Sequence, residues 1–502
     1  MNLFGVNSPM QLTAPTQPLP IQHRSDAPSR FDRESLRFRI YICVGIGLFL
    51  LGYAMLAVKA YARGARVDFL VNDAPGFYAY LPSLLIDHDL DFSNQMEIQF
   101  EGQGNRGVGP SFLRNRHQVG VAITLAPMFI VAHGLTLICH GITGSAVFAP
   151  NGYSLLYQPL CFAWIMALCI YTMVLCDRLL TRHFRVSGPA ILAGILCFWL
   201  GSNYLWYCFR EPFMAHALGA FWVVATVYLF DRITLDLQDG RIQTGRILLI
   251  AFCVSMALAC RLTSAFLLPF FVYLLVRIVR SGLLKEFLAI LPAALLCIAP
   301  LLVQLAIMRL GSADKPSAGG VQAVGYDAEE GFNLFHPHLW NVLFSDRHGL
   351  FFWSPVLLLA VGGIIWQMIA RRAGGAGGGW RDPLLVCFIL SFGLLWYLNA
   401  SWKAWWFGSS FGLRAFVEIA GLGIIGLAFA FQAARQSKPA VRNIIIAAAV
   451  LGIGVNYLFI LLRITNRIQQ DLPPFWSQQQ IRAIEQERIA PLSLPHLRPS
   501  RQ

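Results

Sequence analysis

The sequence predicts an all-α fold, a polytopic bundle of about eleven transmembrane helices with a large first outer loop that carries juxtamembrane helices. Hydrophobic residues fill 56% of the 502 positions and charged residues only 13%, and mean hydropathy is +0.57. Apolar runs recur that approach the roughly 20 residues a helix needs to cross the hydrocarbon core. They are continuous rather than alternating. In lipid only helices and closed barrels satisfy every backbone group, so these runs read as helices.

Taken in order, residues 1–38 are polar, contain prolines and end in RFDRESLRFR, which reads as a disordered cytoplasmic tail without a cleavable signal. The run 40–58 is then a signal anchor. Further crossings are expected at 155–176, 188–206, 213–230, 247–262, 264–279, 287–308, 350–370, 383–399, 412–432 and 443–462. These define a membrane module over 39–463, followed by a C-terminal tail over 464–502.

Charge sets the expected orientation. The connections 177–187, 231–246, 277–286, 371–382 and 433–442 each carry three Lys or Arg and are two crossings apart, so the positive-inside rule puts all five in the cytoplasm. This requires residues 60–154 to stay outside, and the apolar run 119–138 becomes a juxtamembrane or re-entrant segment instead of a span. The C-terminal tail, with Arg467, Arg482, Arg488, Arg498 and Arg501, then falls outside, the one conflict with the rule. Two long outer connections, 59–118 and 309–349, and short ones near 207–212, 261–264 and 400–411 are where function is expected.

Several function classes drop out. The net charge of +13 is scattered in short clusters and forms no basic face, which argues against nucleic acid. The cysteines lie mostly inside apolar runs with no CxxC pair, which supports neither zinc nor redox chemistry. The stretch AGGAGGG at 373–379 lacks a preceding strand and a following Lys-Ser/Thr, so it is a flexible turn and not a phosphate loop. No internal repeat of the transporter kind is visible.

The candidate chemistry sits in the outer connections. Seven acids lie between Asp68 and Glu101, and a solvated surface accounts for such a loop as well as a site does. Asp73 stands apart because it precedes PGFYAYLPSLLI, an amphipathic helix candidate starting at Pro75 that would lie on the membrane face. A carboxylate at that boundary is placed to take a proton from an acceptor hydroxyl. In DHDLD, Asp87, Asp89 and Asp91 alternate, a spacing that suits oxygen-ligated Mg²⁺ or Mn²⁺, with Asp89 and Asp91 the candidate ligands, although a turn or helix cap accounts for so short a pattern more readily.

Outer cations form a second element: His117 beside Arg114 and Arg116, Arg210 beside Glu211, Arg261, His348 after Arg347, Lys403 and Arg414. Each alone could snorkel or pair structurally, as Arg210 with Glu211. Their convergence on one face favours an anionic, lipid-linked group. Aromatic clusters at 345–355 and 399–414, with Trp402, Trp405 and Trp406, fit an interfacial belt or a sugar-stacking surface.

The segments VNDAPGFYAYLPSLLIDHDLDF, HQVGVAITLAPMF, CRLTS, SDRHGLFFWSP and GSSFGLR resemble the bacterial GT-C superfamily of polytopic glycosyltransferases. That superfamily includes protein O-mannosyltransferase-like and lipid A aminoarabinose transferase-like enzymes. The resemblance implies an inverting transfer from a polyprenyl-phosphate-linked sugar donor on the outer face of a bacterial inner membrane. Asp73 would be the general base. His117, Arg261, His348, Lys403 and Arg414 would stabilise the leaving phosphate. The chain departs from the mannosyltransferase pattern in carrying a lone Asp73, and it lacks the large outer domain of oligosaccharyltransferases, which counts against a protein acceptor among the lipid, glycan and protein acceptors the resemblance allows. A lipid-linked glycan transporter and a glycan polymerase or ligase are the alternative classes.

Overall fold

A computed structural model of the chain describes residues 30–62, 68–92, 94–95, 115, 117–312, 331–373, 382–408, 410–465 and 468. The expectations for Arg114, Arg116, Glu97, Glu101, the glycine run after Ala373 and nearly all of both tails lie outside those residues. Among them there is no strand, only an isolated bridge between Phe332 and Trp402.

The long helices are α1 (Arg30–Ala62), α3 (Gly120–Thr143), α4 (Tyr157–Arg182), α7 (Ala215–Gln238), α15 (Pro383–Ser401), α16 (Ala420–Gln436) and α17 (Pro439–Ile464). Shorter ones are α2 (Ala74–Tyr78), α5 (Gly188–Gly201), α6 (Tyr204–Phe209), α8 (Thr244–Cys260), α9 (Leu268–Arg280), α10 (Leu284–Cys297), α11 (Ala299–Ser312), α12 (Leu339–Phe344), α13 (Leu350–Trp353) and α14 (Val356–Ala373). All eleven expected segments are helical. Among the described residues eight helices suffice by length and composition to cross a membrane, or nine with α10 and α11 as one span bent by 46°.

The segments 287–308 and 350–370 are each two helices, broken at Ile298 and at Ser354–Pro355, and three further boundaries differ from expectation. Helix α1 starts at Arg30, inside the region read as tail. Its N-terminal half is tied down where Arg37 pairs with both oxygens of Asp177 on α4, at 2.7 and 2.8 Å, and Tyr41 donates to the same carboxylate. The segment 188–206 is not one helix: α5 stops at Gly201, Ser202 is extended, and α6 follows. Asn456 of α17 donates to the carbonyls of Leu200 and Ser202, and the Asn203 amide donates to Ser354 Oγ. These side chains satisfy backbone groups that the break leaves open inside the bundle. Likewise, 412–432 begins as a 3₁₀ segment, Arg414–Ile419, before α16.

The basic connections meet at one end of the bundle. His183, after α4, bridges Asp231 of α7 at 2.7 Å and Asp382 before α15 at 3.1 Å. Ser187 donates to Gln432 of α16. At mid-depth α14 and α16 touch backbone to backbone: a Cβ on Gly363 would fall 2.0 Å from the Gly426 carbonyl, and one on Gly426 2.5 Å from that of Ala360. Small residues permit this approach where lipid supplies no hydrophobic drive between helices.

Helix α3 qualifies as a span by length and apolarity, against the expectation for 119–138, yet its contacts place it differently. It runs antiparallel to α4, with the Thr124 carbonyl accepting from Trp164 and His133 meeting Tyr157 at the start of α4. Its first turn abuts Ala259–Cys260 at the end of α8. Tyr78, before α3, donates to Gly152, after it. Both flanks of α3 therefore lie at the end opposite the basic connections, and the helix enters the bundle without traversing it.

Two outcomes follow. In a background with Cys43 and Cys139 replaced, cysteines at His88 and Asn151 will react with an impermeant maleimide from the same side of sealed vesicles; labelling from opposite sides would make α3 a crossing. The His183 imidazole is pushed down by burial, but hydrogen bonds and charge from Asp231 and Asp382 outweigh this and raise it to about 9. Its bridge thus contributes stability that is complete below the ordinary value of about 6.5 and is lost as pH rises through about 9. Thermal unfolding scans across that window will show the melting temperature of the native chain falling more than that of His183→Gln.

Candidate functional site

Helices α5 and α8 have 14 and 17 residues, about 21 and 26 Å long, short of the roughly 30 Å core. Helix α14 starts beside Gly201 and α3 beside Cys260. The space above these ends is filled by 68–87, 202–214, 345–355, 402–408 and 410–419, which gather charged and polar side chains into a packed layer, termed the cup, at the end opposite the basic connections.

Its floor is an ion cluster. Arg261, directly after α8, places Nε 2.7 Å from Glu418 Oε1, and His216 of α7 lies 3.3 Å from the same oxygen. The side chain of Glu418 is 0% exposed and that of His216 1%. A buried carboxylate of this kind persists because the guanidinium neutralises it and hydrogen-bonds to it. Phe407 stands over the cluster, with the guanidinium carbons of Arg261 and Arg414 each about 6 Å from its ring centre (6.0 and 5.9 Å).

At the mouth, Arg414 Nη1 meets Asp73 Oδ2 at 3.1 Å, with the Asp73 side chain 37% exposed. Asn72 beside it donates to Glu211 at 2.8 Å. Burial pushes the Glu211 carboxyl up, against Trp206 and the charges of Arg210, Arg414 and Arg463. His348 is held neutral, its value lowered to about 3 first by burial and then by Arg463, Arg347 and Arg414. Its Nε2 and the Nε of Arg414 are buried with no hydrogen-bond partner among the described residues. Arg347 lies 3.9 Å over the Trp406 ring.

Backbone strain concentrates in the same place. Of the five non-glycine residues at positive φ, Asn72, His348 and Phe407 belong to the cup, at 56°, 143° and 60°. Such conformations cost about 1–3 kcal/mol each and persist where the surroundings over-determine them.

The expected residues divide accordingly. Asp73, Glu211, Arg261, His348 and Arg414 come together. Arg210 is close, and the structural pairing with Glu211 that stood as the alternative to a binding role is not formed: its guanidinium faces Trp206 at 5.9 Å and Nη1 is buried without a partner among the described residues. His117 packs on Phe77, ring centres 4.8 Å apart, and its carbonyl accepts from Tyr80. Lys403 is exposed, with its backbone amide bonded to Gly331. The DHDLD acids are exposed and form a local turn: Asp89 Oδ1 accepts from Ser83 Oγ and the Asp91 amide. Among the described residues no group of three His, Cys, Asp or Glu could hold a metal ion, so Asp89 and Asp91 are placed as turn residues.

The segment after Asp73 also differs from expectation. It forms α2, a short helical turn at Tyr80–Pro82 and a π-turn at Ser83–Asp87. Ala74 through Ser83 are all buried, and the apolar surface the segment exposes is at its end, on Leu84 and Leu85. Tyr78 packs on Phe129, Tyr153 and Phe213 from three other elements, which seats the segment under α3. Sequence reading missed His216, Glu418, Asn72 and Arg463. A lone ionisable residue inside an apolar run was the available signal for the first two.

Comparison with family models, with curated proteins and with solved structures gives no match. The fold and its apolar helices define an all-α integral membrane protein.

A close contact makes the wall of the cup testable. A Cβ on Gly76 would fall 1.9 Å from the His117 ring, whereas Gly134 in α3 has nothing within 4 Å. Gly76→Ala is expected to cost about 1–3 kcal/mol by overpacking and Gly134→Ala to cost nothing. Equal melting temperatures for the two variants would contradict the placement of His117.

Proposed function

We propose that the protein is an inverting glycosyltransferase that moves a sugar from a polyprenyl-phosphate donor to a hydroxyl acceptor at the membrane face, with the cup as its active site. The observation that carries this reading is the Asp73–Arg414 pair at the mouth, set among buried donors, Arg210 Nη1 and Arg414 Nε, that have no hydrogen-bond partner among the described residues. A buried polar atom without a partner is costly, and a phosphate oxygen supplies the acceptor these donors lack.

Pairing with Arg414 makes Asp73 a poor base in the empty protein. A donor phosphate entering the cup would compete for the guanidinium and free the carboxylate. Asp73 then takes the acceptor's hydroxyl proton as the acceptor oxygen bonds to the anomeric carbon. The bond to the phosphate oxygen breaks with inversion, and the polyprenyl phosphate leaves with the electron pair. Arg414, with Arg261 behind it, balances the charge that develops on that phosphate. In this reading the basic end faces the cytoplasm of a bacterial inner membrane and the chain makes eleven crossings. Membrane lipids surround it, the acceptor's identity is open, and Mg²⁺ or Mn²⁺ has no assigned ligands.

A transporter of a lipid-linked glycan is the second reading, favoured by the fully buried ionisable residues His216 and Glu418. In lipid nanodiscs supplied with a polyprenyl-phosphate sugar, release of polyprenyl phosphate is expected from the native chain. Asp73→Asn will lose about 100-fold or more of that release while keeping its elution volume and melting temperature. Unchanged turnover in that variant, or translocation of intact donor without bond cleavage, rejects the transferase reading.

A further inference from the structure

A second cleft opens at the opposite, basic end of the bundle, between the start of α1 and the start of α5. It has a volume of about 1080 Å³ and is lined by Arg37, Arg182, Arg185, Gly188, Leu36 and Leu192 among others. Glu34 is the one acid that lines it. Nothing in the transferase reading uses this space, and the inference does not depend on that reading.

Its floor is Arg37, 8% exposed. Nε and Nη2 are spent on Asp177, and Nη2 also reaches Thr181. Nη1 makes no hydrogen bond among the described residues. It lies 2.8 Å from where a Cβ on Gly188 would sit, so glycine at that position leaves this edge of the guanidinium open beside the first turn of α5. That turn has no side-chain cap, because the Ser187 hydroxyl donates to Gln432 instead. Uncapped first-turn amides carry the positive end of the helix dipole and bind anions. Arg182 and Arg185, both exposed, flank the opening.

Apolar residues stand at the same rim. Leu36 is 58% exposed, and Leu192 lies one turn into α5. A free inorganic anion would have no use for these surfaces, whereas a phosphodiester with acyl chains matches both the cationic floor and the apolar rim. The geometry points to a binding site for the headgroup of an anionic phospholipid, drawn from the leaflet at the basic end and held by Arg37 Nη1, the first turn of α5, Arg182 and Arg185. An occupant there joins α1 to α5 and stabilises the fold by mass action.

The test uses the full chain in nanodiscs of phosphatidylcholine, with and without phosphatidylglycerol. Arg182→Gln/Arg185→Gln removes the rim cations, which make no hydrogen bond or ion pair among the described residues. Arg39→Gln/Arg178→Gln removes the same charge from exposed positions off the cleft. Phosphatidylglycerol is expected to raise the melting temperature of the native chain and the off-cleft control by on the order of 2 °C or more. Mass spectrometry of the released protein should find the lipid bound to both, and the rim variant should lose both effects. The inference is overturned by an equal response of the rim variant and its control, or by no difference between the two lipids. It is also overturned if inorganic phosphate in phosphatidylcholine discs gives the same shift, which would assign the cleft to a soluble anion.

Discussion

A carboxylate without exposed surface survives in a helical bundle only where a cation reaches it, and the pair of Arg261 with Glu418 organises what surrounds it. To deliver Arg261 to that depth, α8 has to end early and turn into the 3₁₀ segment at Leu262–Leu267. Delivering Glu418 requires a second 3₁₀ segment before α16. These irregular stretches have backbone groups that lipid could not satisfy, so they are roofed by other chain segments. The first long connection supplies part of that roof, and its Asp73 completes the charge balance by meeting Arg414. Removing one partner of a buried pair is far costlier than replacing both with apolar groups, which fits a cluster kept for chemistry rather than for stability.

The two ends of the bundle treat charge in opposite ways. At the basic end, His183 is closed between two carboxylates, and Asp231 also pairs with Arg232 at 2.7 Å. Those groups hold connections together and satisfy one another. In the cup, Arg210 Nη1 and Arg414 Nε are buried donors, and Glu418 Oε2 a buried acceptor, that have no hydrogen-bond partner among the described residues.

The helical segments were legible because length and apolarity alone mark them. Their ends were less so. Hydropathy makes α3 a span, and only its contacts with Trp164, Tyr157 and Ala259 reveal a helix that enters without crossing. The break at Ser202 depends on Asn456, more than 250 residues away in sequence, so no local pattern announces it. Asp73, Arg261, His348 and Arg414 were visible as charges at lipid edges, where solvation makes them expensive. Glu418 and His216 were passed over because each is a single polar residue within an otherwise apolar run. The burial of Ala74–Ser83 was hidden for a related reason: periodicity describes one face of a helix and cannot tell that aromatic neighbours cover the others.

The seam between α14 and α16 limits how such a molecule can move. With Gly363 and Gly426 at backbone contact, sliding one helix along the other by part of a turn would drive a β-carbon into a carbonyl. Only a jump of register from one small residue to the next, or outright separation, avoids that collision. The seam is therefore the part of the bundle least able to slide, whereas the axis of the pair α10 and α11 is already interrupted by a bend of 46°.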